Sequence, residues 1–184
     1  MTPTKANTYQ RYAAALPWRL INLLLLALMS GFSQYSSALP EDRNQPIHVA
    51  SDRAQRDDNR GITTYEGGVE IIQGTLKILA DKVTIYTKKE GVSKIIAVGK
   101  PAHYQQIPEH TKPMVVARAT KIEYYVDKEF IKLFKNAFIK QQGSSLEGQQ
   151  IDYNIATAII NANSQNANSK DDRVRTIIEP KKSP

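Results

Sequence analysis

A short pattern of apolar alternation is written four times along the chain, over residues 47–54, 76–83, 115–122 and, more worn, 144–151. In each copy the first residue, the third or both are apolar, then come a small residue (Ser51, Ala80, Ala119 or Gly148), two polar residues, and Ala54, Val83, Ile122 or Ile151. Period two is the period of a strand, and a recurring unit announces one long sheet built from equivalent pieces. A second unit lies between the copies, as Val69-x-Ile71-x-Gln73, Ala102-x-Tyr104-x-Gln106 and Ala137-x-Ile139-x-Gln141. From the first of these to the third the offset is 68 residues without a gap, and it also carries Ile78 onto Leu146, Val83 onto Ile151 and Ile85 onto Tyr153. The middle copy is displaced by extra residues in 107–113, where Pro108 and Pro113 mark a loop that cannot join a ladder.

Each expected strand has one apolar face, for instance Ile47 and Val49, Val69 and Ile71, or Ile122, Tyr124 and Val126. The opposite face carries Lys77, Lys82, Thr84, Glu123, Lys132, Lys140 and Asp152. That alternation predicts an all-β, antiparallel sheet with one wet and one dry side, which must fold over to hide its dry side. Ser51, Ala80, Ala119 and Gly148 are the expected places where strands bend at the fold line. No helix is expected, because the one candidate, 120–135, is rich in β-branched and aromatic residues. Two interiors satisfy the periodicity: an apolar trough about 10 Å across between facing layers, or a sandwich filled by its own side chains.

Residues 1–38 read as a signal peptide. Lys5, Arg11 and Arg19 precede an apolar stretch over 20–29, and Ser36 and Ala38 supply small residues at alternate positions before a cut after Ala38. The stretch is shorter than the roughly 20 residues a membrane span needs, and it contains Asn22. Removing it takes away three of the 25 basic residues and none of the 18 acidic ones, so the net charge falls from +7 to +4. The repeated strands are expected to fill a domain over 39–162. A polar segment, 163–184, follows, with a possible final edge strand at 173–179. There is no cysteine, hence no disulfide framework, and stability must come from packing and ladder hydrogen bonds.

The residues argue against most chemistry. The modest surplus of positive charge without a dense basic face excludes a nucleic-acid partner. His48, His103 and His110 lack paired spacing, so no metal is expected. Gly67-Gly68 and residues 143–145 lack the Lys-Ser/Thr partner of a phosphate-cradling loop and read as turns. Asp52, Asp81, Asp127 and Asp152 leave open a polysaccharide-degrading enzyme with paired carboxylates, but three of them sit next to a basic residue and fit solvated turns better. No catalytic residue and no cofactor are assigned. A filled-core structural module is a further alternative.

Three separated blocks carry a resemblance: Gln45-Pro46-Ile47-His48-Val49-x-Ser51-Asp52; Gly68-Val69-x-Ile71-x-Gln73-Gly74-Thr75-Leu76-Lys77-Ile78-x-Ala80-Asp81-Lys82-Val83; and Gly99-Lys100-Pro101-Ala102. In this order, together with an export signal, they resemble the LptA family of OstA-like periplasmic lipopolysaccharide-transport proteins, over nearly all of the chain after the signal peptide. The resemblance implies an OstA-like β-jelly roll, an open V with an apolar interior groove, and a non-enzymatic role in the periplasm. It implies that lipid A acyl chains of lipopolysaccharide lie in the groove, with Ile47, Val49, Tyr104, Tyr124 and Val126 as contacts. It further implies a head-to-tail homo-oligomer bridging LptC at the inner membrane and LptD at the outer membrane. Lys77, Lys82, Lys100 and Lys121 are candidates to meet the anionic head at the trough mouth, although plain solubility is the preferred account of any one of them. The run after Ala162 is richer in Asn and Ser than the family's approach to its closing strand.

Overall fold

The computed structural model describes residues 42–108, 112–164 and 173–180. The signal peptide expected over 1–38 and the polar run 165–172 lie outside the described residues. Ten strands form a single sheet: β1 (His48–Ala50), β2 (Arg53–Asp57), β3 (Ile62–Gln73), β4 (Leu76–Lys88), β5 (Gly91–Gln106), β6 (Val115–Tyr125), β7 (Phe130–Gln141), β8 (Ser144–Asn154), β9 (Ile159–Asn163) and β10 (Arg175–Ile177). Every pairing is antiparallel, and β3 to β8 follow one another as a meander. The only helical pieces among the described residues are two 3-10 turns, Asp42–Asn44 and Val126–Lys128.

A crease crosses the sheet. The ladder loses register between Glu66 and Val69 on β3, Leu79 and Lys82 on β4, Val98 and Ala102 on β5, Arg118 and Lys121 on β6, and Phe134 and Ala137 on β7. At the first edge β1 and β2 pair with β3 on opposite sides of this line, with Ser51 and Asp52 between them; at the other, β9 and β10 do the same on β8. Two leaves result. The first holds β1, β10 and segments 69–73, 76–80, 102–106, 115–119, 137–141 and 144–148. The second holds β2, β9 and segments 62–66, 82–88, 91–98, 121–125, 130–134 and 150–154. The long strands, up to 16 residues in β5, are thus pairs of ordinary strands joined at a bend.

Ser51, Ala80, Ala119 and Gly148 all fall on or beside this crease, where the sequence pattern put the fold line. The 68-residue repeat is also a repeat of backbone. Gly61, Gly67, Gly68 and Gly74 have positive φ, and so do Glu129, Lys135, Asn136 and Gln142 at the same offset. The hydrogen bond from Thr87 N to Gly61 O is repeated from Ile155 N to Glu129 O, both 2.8 Å. Glycine carries no steric penalty at these left-handed positions in the first copy; in the second, non-glycine residues are held there by the packed sheet.

The dry faces of both leaves meet in one core. Ile71, Val83, Val115, Ala117, Ile131, Leu133, Ile151 and Tyr153 are fully buried, and each large aliphatic side chain so placed contributes about 1.5–3 kcal/mol against the entropy of ordering the chain. The wet faces carry the ion pairs of Lys77 with Glu70, Lys82 with Glu66 and Lys121 with Glu123. The closing strand, β10, is shorter than the expected 173–179, and every one of its residues is exposed.

Candidate functional site

In the middle of the V the leaves touch. Tyr104 of the first leaf and Tyr124 of the second are 1% and 4% exposed, and their rings meet edge to face with centroids 5.9 Å apart. Toward the β1–β2 edge the leaves diverge and leave a cleft of about 780 Å³. Its floor is apolar, from Ile47, Val49, Tyr65, Ile85 and Val92, whereas its lip carries Arg56, Arg60, Lys88 and Lys89 together with Asp57 and Asp58. The interior is thus neither a trough from end to end nor a filled sandwich: its centre is packed and one end is open.

The cleft gathers two of the five expected contacts. Ile47, just before β1, and Val49, opposite Ile71 in the ladder, line the floor. Tyr104 and Tyr124 sit deeper in the core. Val126 departs from the expected strand. Strand β6 ends at Tyr125, and Val126 opens a 3-10 turn, partly buried against the core, because the chain must reverse there into β7.

The four lysines fit the solubility account rather than a place at the opening. Lys77, Lys82 and Lys121 project from the wet face into ion pairs, and Lys100 is exposed at the crease, so none of these four lines the cleft mouth. Alternation assigns these side chains to a face but says nothing about which hairpin tips surround the opening. The cations at the lip belong to the tips around 56–61 and 88–89. Tyr65 and Val92 were also missed as site residues, although Tyr65 stands beside Val83 in the register and shares its inward face.

A polar network ties down the rim of the first leaf. The Tyr104 hydroxyl donates to Gln106 Oε1, and Gln106 Nε2 donates to Asp42 Oδ2 at 2.9 Å. Asp42 also accepts from the backbone N–H and the hydroxyl of Thr75, at 2.7 and 2.6 Å. The other repeated glutamines act alike: Gln73 Nε2 donates to Gln45 O, and Gln141 Nε2 donates to Pro113 O. The third residue of the repeated unit therefore fastens chain segments that lie across the rim. Burial, above all, pushes the Tyr104 phenol well above its ordinary pKa, with the nearby Tyr124, Tyr153 and Asp42 adding to the rise, so it stays a donor. Gln106→Ala removes the acceptor of a buried hydroxyl and is expected to cost about 1–3 kcal/mol, read as a lowered denaturant midpoint with an unchanged m-value.

Nothing among the described residues resembles a catalytic centre. No group of three or more His, Asp or Glu able to hold a metal occurs among them; His48 and His103 are exposed on the wet face, and His110 lies outside the described residues. The four aspartates are dispersed, with Asp52 and Asp81 at the crease, Asp127 in the 3-10 turn and Asp152 within β8. Glu123 feels burial first, which raises its pKa, but hydrogen bonds from Lys121 and Tyr125 outweigh that and hold it below the usual carboxylate value. It is thus a charged member of an ion pair, unlike a protonated general acid.

Comparison with known proteins agrees with this geometry. Residues 48–159 match the family model described as LptA/(LptD N-terminal domain) LPS transport protein. The chain is 36% identical over 154 residues to the lipopolysaccharide export system protein LptH of Pseudomonas aeruginosa, covering 82% of this chain and 88% of that one. It is 33% identical over 162 residues to the lipopolysaccharide export system protein LptA of Escherichia coli K12, covering 87% and 85%. The crystal structure of LptH from Pseudomonas aeruginosa, described as the LptA homologous periplasmic component of the lipopolysaccharide transport device, superposes with a TM-score of 0.69 at 35% identity, over 77% of this chain and all of that one.

Proposed function

Because the chain belongs to the LptA/(LptD N-terminal domain) family of LPS transport proteins, we propose that it carries lipopolysaccharide across the periplasm, holding lipid A acyl chains in the cleft between its leaves. The open, apolar-floored end of the V is the observation that carries this reading. A methylene leaving such a surface for water costs about 0.8 kcal/mol, so releasing a chain of about a dozen carbons costs on the order of 9 kcal/mol. Sliding between similar apolar sites avoids that barrier, since little buried area changes at each step. Ile47 and Val49 receive the tails first. Tyr104, Tyr124 and Val126 contact them once the leaves part along the crease. The relatives are transport proteins, and the role involves no bond chemistry.

Residues 1–38 act as the export signal in this reading. The two sheet edges, β1 with β2 and β9 with β10, offer unpaired backbone groups to further copies, giving a head-to-tail bridge from LptC to LptD. Placing a photoreactive residue at Val49, and separately at Ile72, tests the central claim. Ile72 is 39% exposed on the wet face of the same leaf. Glycolipid adducts are expected at position 49 and not at 72; equal labelling at both positions contradicts a cleft-borne cargo.

A further inference from the structure

A second hollow lies just over the lip of the cleft, on the outer wall of the second leaf, with a volume of about 420 Å³. The two share Arg60, Gly61, Thr87 and Lys88 as a common wall. That wall is thin for a stated reason. Gly61 has φ +62°, and a Cβ there would come within 2.5 Å of Thr87 O, the residue whose N–H already donates to Gly61 O at 2.8 Å. Glycine lets the two hairpin strands close up here without displacing Thr87.

The chemistry differs on the two sides of the wall. Inside, the floor is aliphatic. Outside, the hollow is lined by Tyr86 and Tyr125, whose rings lie 4.3 and 5.8 Å from the Lys94 ammonium, and by Lys88 and Lys128. Asp127 is the one carboxylate in the lining and accepts from Lys88 at 3.4 Å; Asp57, behind the wall, pairs with Arg60 at 3.2 Å. Glu123, whose pKa Lys94 helps to lower, hydrogen-bonds Lys121 and Tyr125. With Arg60 and Lys88 each paired to a carboxylate, Lys94 and Lys128 are the surplus cations of the hollow and make it an anion-seeking site. Two phenol rings beside them offer flat faces of the kind that sugar rings pack on, and Lys94, held by those rings, is oriented before any ligand arrives.

An apolar cleft and a cationic, aromatic hollow sharing one thin wall match an amphiphile bent over that wall. We infer that the outer hollow is a headgroup subsite, which takes the phosphorylated sugar head of the molecule whose acyl chains lie in the cleft. This rests on the transport reading of the cleft and adds to it the place where the head is recognised. Lys94 and Lys128 pair with phosphate oxygens; Tyr86 and Tyr125 flank the sugar.

The test compares two acylated disaccharide lipids, one phosphorylated at both ends and one dephosphorylated, for binding to the wild-type protein and to the double variant Lys94→Gln, Lys128→Gln. The wild-type protein is expected to prefer the phosphorylated lipid by about tenfold, a preference that shrinks as salt screens the charges. The double variant is expected to lose that preference while binding the dephosphorylated lipid as before, and Lys94→Arg with Lys128→Arg is expected to restore it. No phosphate preference in the wild-type protein, or a preference that survives in the double variant, overturns the subsite. Failure of the cleft reading looks different: the dephosphorylated lipid does not bind, yet a phosphate preference that the double variant abolishes remains, which upholds an anion site without acyl capture.

Discussion

Val49→Glu is expected to lower affinity for acylated glycolipid by about tenfold to a hundredfold while leaving the fold nearly untouched. Val49 lines the floor of the cleft and is half-buried, so in the lipid-free protein a carboxylate at this position still reaches water. The cost to folding is then about 1 kcal/mol or less. Bound acyl chains would cover that carboxylate, and desolvating an unpaired charge outweighs any burial of the glutamate's own methylenes. At about 1.4 kcal/mol per factor of ten in affinity, even a partial penalty removes most of the binding. Titration of the glycolipid against wild type, Val49→Glu and Ile72→Glu checks this. Ile72 lies next along β1–β3 but faces outward, opposite His48, so its variant is expected to bind normally. Unchanged binding by Val49→Glu would mean that the tails do not enter between the leaves.

The second large effect is on stability. Leu133 is fully buried on β7, flanked in register by Ile122 and Ile151 and facing the opposite leaf. Leu133→Ala opens a void in the packed centre and is expected to cost about 2–5 kcal/mol, the spread reflecting how far the leaves can collapse onto it. For a domain of this size that corresponds to a fall in melting temperature of about 5–15 °C. The neighbouring Lys132, on the wet face, has its ammonium 5.6 Å from the centre of the Phe130 ring; Lys132→Ala is expected to stay within about 0.5 kcal/mol. Calorimetry on the pair separates a packed centre from a loosely held one. A small loss for Leu133→Ala would indicate that the leaves are already apart around this position.

The packed centre and the open end bear on transport in different ways. In the proposed reading the cleft would accept tails without rearrangement, whereas contact with Tyr104 and Tyr124 would require the leaves to separate. The first leaf's rim is held by the glutamine and Asp42 hydrogen bonds, while the crease already interrupts the ladder on β3 to β8. Bending at the crease therefore disturbs fewer ladder bonds than bending elsewhere.

Much of this was legible in the residues. Side chains spaced two apart on a strand must share a face, so Ile71, Leu133, Ile151 and their kin could be assigned to the core before any contact was known. The four small residues fall on or beside the bend where their size had placed it. The 68-residue offset survived in backbone conformation even where glycine gave way to Glu129, Lys135, Asn136 and Gln142. Alternation, however, specifies a direction and never a distance. It could not decide that the leaves touch at Tyr104 and Tyr124 yet part beside Val49, because their separation depends on side chains packed from strands far apart in sequence. Nor could it select Arg56, Arg60, Lys88 and Lys89 over Lys77, Lys82, Lys100 and Lys121 as the cations of the lip. Those four come from strand ends and the turns beside them, and only the tertiary fold brings them to one opening.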